Sequence, residues 1–376
     1  MKITLIGPTY PFKGGIAHYM TLLYRQLTLR HKVNFLSFKR QYPGFLYPAK
    51  TDADSSRQPI KEAGVEYVID SLNPISWHRA FKNIKRLKPD LVILSWWVCF
   101  WTPVFLYILN LIKKHTNAKT LFICHNVAEH EDNFLSVAFT RLVLKNGDYF
   151  IVHSEHDKEK LSRLLPDAKI KSTYHPSYEV FNFNRLDKNT ARKTLGIKEK
   201  MMLFFGFIRD YKGLEYALKA MPLILKETEV KFYIVGEFWK HKQKYTRLIY
   251  ELNIEKQVVV IDRYVPNEEV ELYFAACDVV VLPYISATGS GIVQVAFGFE
   301  RPVIATTVGS LGETVVDGKT GYLISPKDSE AIAEAVIKYY NEQKEDEFKD
   351  NIKSSQDKYS WQKIVEVIES FTESEK

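Results

Sequence analysis

The sequence predicts an α/β protein built from two doubly wound parallel-sheet domains, and three observations carry that prediction. Short apolar runs alternate with helical patterns from end to end. The runs are rich in Val, Ile and Phe without strict polar alternation, as strands buried on both faces should be. The chain's 376 residues also exceed what one hydrophobic core usually serves.

In chain order, the first-half runs are KITLIG (2–7), KVNFLSF (32–38), LVILSW (91–96), TLFICH (120–125) and YFIVHS (149–154). Ile16, Tyr19, Met20, Leu23 and Leu27 form a helical stripe between the first two. From Leu91 to Ile112 no residue is charged, a length that could cross a bilayer. Pro103 interrupts that stretch, so it reads as a buried strand, an aromatic loop and a helix starting at Pro103 and ending in Lys113 and Lys114. The rhythm fails between about Tyr174 and Arg192, where a capping residue, Asn189 or Thr190, replaces a strand; the interdomain linker is expected there. The second-half runs are MLFFGF (202–207), KFYIVG (231–236), VVVID (258–262), VVVLP (279–283), PVIAT (302–306) and GYLIS (321–325). The expected division is residues 1–180, residues 181–357 and a terminal amphipathic helix over 358–376. Strand-helix-strand succession implies right-handed crossovers, with polar motifs gathered after the strands.

Composition narrows the class. Hydrophobic content of 46%, with 17 Gly and 15 Pro, fits a globular chain and excludes collagen or extensive disorder. A net charge of +7 suits anionic ligands or an acidic membrane surface without indicating nucleic acid. Cys99, Cys124 and Cys277 are far apart in apolar contexts, so neither a zinc site nor a disulfide framework is expected. The N-terminal apolar run is too short for a signal peptide, which makes the cytoplasm the expected compartment.

Three loops carry chemistry. Gly14 and Gly15 follow the first strand and open a helix, where free N–H groups favour an anion; the spacing is not GxGxxG, which counts against a dinucleotide. In FFGFIRDYKG the chain turns at Gly206 and offers Arg209 and Lys212 at a helix head, two cations that suit a diphosphate. The loop Ser286 to Gly291 again presents small residues before a helix, and a Gly309-Ser310 turn follows PVIAT.

Taken together, a glycine pair near the N-terminus, RxxKG after a strand, and RPVIATxVGSxxExVxDGxTGYLxxP over 301–326 resemble the retaining nucleotide-sugar glycosyltransferases of family four, glycosyltransferase group 1. The resemblance is strongest over about 203–326. It implies the GT-B fold, two Rossmann-like domains facing a cleft, with the acceptor on the first, the sugar nucleotide on the second, and the terminal helix crossing back to the first. It further implies that Arg209 and Lys212 neutralise the donor diphosphate, that Gly15 approaches it, and that backbone near Tyr264 receives the nucleobase. Gly289, Ser290, Gly291 and Gln294 are candidates for further donor contacts. One departure stands out: the family commonly carries two glutamates where this chain has Ala287 and Val295.

His125, after TLFIC, matches the family histidine that points toward the donor sugar, so it is the catalytic candidate together with Arg209 and Lys212. His130, with Glu131, and the aromatics Trp96 and Trp97 are candidates for the acceptor side, the aromatics of 96–101 being too many to bury easily. Asp52 and Asp54 form a literal DxD but sit in a polar loop far from any strand end, so no metal site is expected there. The expected activity is retaining transfer of a sugar from a nucleotide-diphosphate-sugar donor to a hydroxyl of a glycan or lipid-linked glycan, in cell-surface polysaccharide or glycolipid synthesis. No metal or cofactor is required and no nucleic acid is expected as a partner; peripheral contact with the inner membrane face is. Alternatives are a non-catalytic nucleotide-sugar-binding or regulatory GT-B protein and a sugar-nucleotide epimerase.

Overall fold

A computed structural model describes residues 1–44, 51–127 and 134–373. It divides into two compact units: Met1–Asp54, Pro59–Tyr174 and Trp361–Lys376 form the first, Ser55–Gln58 and His175–Ser360 the second.

The first unit contains β1 (Lys2–Ile6), α1 (Gly15–Thr28), β2 (Lys32–Arg40), β3 (Val65–Asp70), α2 (Pro74–Leu87), β4 (Leu91–Trp96), α3 (Thr102–His115), β5 (Lys119–Cys124), α4 (Phe134–Leu144), β6 (Tyr149–Val152), α5 (Glu155–Leu164) and β7 (Lys169–Ser172). All pairings are parallel, in the order β3-β2-β1-β4-β5-β6-β7. β1, β4 and β5 are apolar on both faces because helices cover both. The edges β3 and β7 are only partly buried; their mixed sequences VEYVID and KIKS lack the apolar run by which the other five were recognised.

The uncharged stretch resolves into β4, a single turn at Cys99–Trp101, and α3 with Pro103 in its first turn and Lys113, Lys114 and His115 in its last. Among the described residues no helix is long and apolar enough to cross a membrane. Trp96, Trp97 and Trp101 are buried, and only Phe100 of that group stays partly open. Trp101 lies 4.3 Å from Phe38 and 6.1 Å from Phe105, ring centre to ring centre, while the Trp97 indole donates to the Tyr42 hydroxyl at 2.8 Å. The expectation that these aromatics stand open is therefore corrected: α3 and β2 supply enough apolar surface to enclose them.

The second unit contains α6 (Lys188–Leu195), β8 (Lys200–Phe205), α7 (Leu214–Glu227), β9 (Val230–Val235), α8 (Lys242–Glu251), β10 (Val258–Ile261), α9 (Asn267–Ala276), β11 (Val279–Leu282), α10 (Gly291–Gly298), β12 (Val303–Thr306), α11 (Leu311–Thr314), β13 (Gly321–Ile324), α12 (Ser329–Asn341) and α13 (Glu345–Ser354). Its parallel sheet runs β10-β9-β8-β11-β12-β13. The cap of α6 is Asp187, earlier than either expected residue; its carboxylate accepts from the N–H groups of Asn189 and Thr190, each at 3.0 Å.

The last helix, α14 (Trp361–Glu373), belongs to the first unit. Ile364, Val365, Ile368 and Phe371 enter the core beside Tyr19, Leu23 and Tyr149. Fully burying such side chains contributes about 1.5–3 kcal/mol each, which fixes the helix there without a polar anchor. Polar ties are added by Arg30 and His31, both paired with Glu369.

Candidate functional site

In each sheet the strand order reverses beside the first strand of the unit, at β1/β4 and β8/β11. Loops leaving the carboxyl ends of strands at such a switch point diverge and leave a ligand crevice. The sequence motifs fall on these loops in both units.

In the second unit the loop after β8 turns at Gly206, with φ +98°. A helical turn, Asp210–Lys212, then leads through Gly213 into α7. Gly213 has φ +66°, and a Cβ there would lie 1.9 Å from the Pro283 carbonyl oxygen, so only glycine lets the loops after β8 and β11 pass this closely. Lys212 is 7% exposed. Its ammonium lies over Gly206, 3.2 Å from where a Cβ would stand, and Ile292, in the first turn of α10, is 3.4 Å from the same point. The Tyr284 ring is 5.5 Å from the ammonium, and the Tyr284 hydroxyl is 3.2 Å from the hydroxyl of Ser290, the cap of α10.

No carboxylate among the described residues pairs with Lys212. The nearest in sequence, Asp210, is engaged by His241 at 2.8 Å and the Tyr245 hydroxyl at 3.1 Å. Burial, and then the charge of Arg209, bring the Lys212 pKa down to about 7. Such a group gains its proton back when an anion arrives. The α10 N-terminus adds oriented N–H groups at the same place. Gly289 sits against Ser310, and Ser310 N–H donates to the Thr288 carbonyl at 2.9 Å, so the loop before α10 is strapped to the turn after β12.

The Arg209 guanidinium carbon lies 4.8 Å and 4.9 Å from the ring centres of Tyr211 and Trp239. Phe207 links this stack to Tyr264, 4.9 Å from Trp239 and 6.3 Å from Tyr264. Gly206, Arg209, Lys212, Tyr264, Gly289, Ser290 and Gly291 thus lie on loops at one end of the sheet. Gln294 is 2% exposed inside α10, and its side-chain oxygen has no partner among the described residues. Val295 is buried beside it. Sequence reasoning missed Phe207, Tyr211, Trp239 and Tyr284; the available signal was four aromatics in the segments that follow β8, β9 and β11.

In the first unit Gly14 is the cap of α1 and Gly15 its first residue, with nothing within 4 Å of a Cβ added at either. His125 follows β5; its N–H donates to the Trp96 carbonyl at 2.8 Å, and its ring meets Tyr19 of α1 edge-on at 4.6 Å. His153 lies 5.9 Å away. His18, in the first turn of α1, has its pKa brought down to about 4 by burial, against the opposing charge of Asp54, so it is neutral at pH 7. Trp96 and Trp97 are core residues and do not form an acceptor platform. His130 and Glu131 lie outside the described residues.

The DxD segment needs a correction. Ala53 forms an antiparallel bridge with Phe12, Lys13 N–H donates to the Asp52 carbonyl at 2.8 Å, and Asp54 N–H donates to the Pro11 carbonyl at 2.7 Å. The segment therefore completes the backbone hydrogen bonds of the loop leading to Gly14 instead of lying remote from strand ends. Among the described residues no group of three or more His, Cys, Asp or Glu could hold a metal ion.

Residues 187–355 match the family model described as glycosyl transferases group 1. The match lies wholly in the second unit, which belongs to that family, as the motifs of 203–326 led us to expect. An uncharacterized glycosyltransferase of Methanocaldococcus jannaschii is 28% identical over 224 residues, covering 57% of each chain. A D-inositol 3-phosphate glycosyltransferase of a Nocardioides species is 26% identical over 211 residues, 52% of this chain and 46% of the relative. The chain spans about half the length of these curated relatives. Among solved structures, sucrose-phosphate synthase from Thermosynechococcus elongatus superposes with a TM-score of 0.75 at 18% identity, over 99% of this chain and 98% of the other. HepE of Anabaena in complex with UDP gives 0.74 at 16% identity, over 98% and 100%. These likenesses show the fold, which is GT-B.

Proposed function

We propose that this chain is a retaining glycosyltransferase that moves a sugar from a nucleotide-diphosphate-sugar donor to a hydroxyl of a glycan or lipid-linked glycan. The observation that carries the reading is Lys212, a buried ammonium that no carboxylate among the described residues pairs, beside the N-terminus of α10. A buried charge is costly unless something offsets it, and a diphosphate is the ligand whose charge and size suit an ammonium, a guanidinium and the α10 amides together. Arg209 and Lys212 hold the diphosphate and stabilise the charge that grows on it as the glycosidic bond breaks. Gly206, Gly289, Ser290 and Gly291 present backbone and hydroxyl to the donor, and backbone near Tyr264 takes the base. From the first unit, Gly14 and Gly15 supply backbone N–H groups and His125 orients the transferred sugar. The chemistry asks for no metal or further cofactor. The setting we infer is cell-surface polysaccharide or glycolipid synthesis at the inner membrane face.

A second reading, a nucleotide-sugar-binding protein without turnover, is favoured by Ala287 and Val295, which bring no carboxylate to the positions where the family commonly has glutamates. Calorimetry with UDP, the nucleotide bound by Anabaena HepE, and GDP, followed by labelled nucleotide sugars, separates the readings. Transfer or slow donor hydrolysis supports the transferase; binding without turnover supports the second reading. Lys212→Ala is expected to weaken nucleotide-diphosphate binding roughly 10- to 100-fold, the range for losing a charged hydrogen-bond donor. Unchanged affinity would remove the phosphate assignment. For His125→Ala the expectation is lost turnover with donor affinity retained.

A further inference from the structure

α4 is turned inside out. Its small polar residues Ser136 and Thr140 are buried together with Val143 and Leu144, whereas Leu135, Val137, Phe139 and Leu142 are 62%, 38%, 44% and 37% exposed. A helix that seats its inner face on a core normally shows the reverse pattern. Leu135, Phe139 and Leu142, with exposed Ala138, follow the i, i+3, i+4, i+7 spacing of one continuous stripe. Arg141 and Lys145 are exposed along one flank of it, and α4 contains no acidic residue. Neither cation makes an ion pair with any described residue. Val137, Ala138, Arg141, Leu142, Lys145 and Leu164 line a shallow depression of about 450 Å³ beside the stripe, so apolar and cationic surface form one patch.

We propose that α4 is a membrane-docking helix that lies in the surface of an anionic bilayer. The chemistry of the two halves fits that occupant: the apolar stripe enters the boundary of the acyl chains while Arg141 and Lys145 reach lipid phosphates alongside. A second copy of the chain fits poorly. Two-fold pairing of this face would bring the uncompensated cations of the two copies toward one another, and one helical stripe offers far less than the roughly 800 Å² per partner of a stable dimer. The inference deepens the membrane setting proposed above and rests on it for its biological meaning, although the surface itself belongs to the first unit alone.

The test is co-sedimentation of the full chain with vesicles of phosphatidylglycerol and phosphatidylethanolamine, compared with phosphatidylcholine alone. UDP affinity is measured on the same preparations, so that failure here is distinguishable from failure of the donor reading. Wild type is expected to bind the anionic vesicles at least tenfold more strongly than the zwitterionic ones. Arg141→Glu/Lys145→Glu and, separately, Phe139→Ser/Leu142→Ser are expected to lower that binding at least tenfold with UDP affinity unchanged. Both pairs are at the surface, and thermal melts check that they fold. Equal vesicle binding by wild type and both variants, no binding to anionic vesicles, or a concentration-dependent dimer in sedimentation velocity that both variants abolish would each overturn the proposal.

Discussion

Lys212 has a pKa near 7 in the free protein because burial and Arg209 both oppose its charge. An anion docking beside it counters both effects and raises that pKa. Nucleotide-diphosphate binding is therefore expected to take up close to one proton per site at pH 8, and affinity should fall as pH rises through 7. Calorimetry in buffers of different ionisation enthalpy measures the uptake, and Lys212→Met should abolish it. An unchanged proton count in that variant would mean that the lysine does not meet the ligand. At this scale the sequence was legible where chemistry is carried by residue type and spacing, as with Arg209 and Lys212. It was not legible where the neighbours decide. Trp96 and Trp97 read the same whether covered by α3 or left open, and the two rings that flank Arg209 come from segments about thirty residues apart.

Elements differ in how firmly their sequences announce them. Eleven strands declare themselves as apolar runs, whereas β3 and β7, at the edges of the first sheet, carry half-polar sequences that periodicity alone assigns to loops. The last helix was legible as amphipathic, but nothing within it says which surface it covers. Its seating is testable at Ile368, which is fully buried between α14 and the first sheet. Ile368→Ala is expected to cost about 3 kcal/mol, the middle of the range for such truncations, in denaturant unfolding followed on the first unit. An effect below about 0.5 kcal/mol would mean that the helix is only loosely seated.

At the scale of the whole chain, the units are not successive segments. The first is assembled from three stretches and the second from two, since Ser55–Gln58 is packed with the second: Ser56 accepts from Asn267 N–H at 2.8 Å and Glu268 accepts from Arg57 N–H at 2.9 Å. Reading along the sequence set the division at 180/181, whereas the first unit ends at Tyr174, and it could not show the short excursion, because four residues carry no periodicity. A fragment of residues 1–174 should leave Tyr19, Leu23 and Tyr149 without their cover and aggregate. The same fragment with 361–376 joined by a flexible linker should stay soluble and melt cooperatively, as light scattering and circular dichroism would record. Equal solubility of the two would show that the cover is dispensable.

That no described carboxylate pairs the Lys212 ammonium has a practical consequence for anyone improving this protein. Since Met or Leu could occupy that space without a charge to desolvate, a library selected for heat tolerance alone would enrich replacements at position 212. Its best survivors would be empty scaffolds, and only a selection run with nucleotide present would keep the lysine.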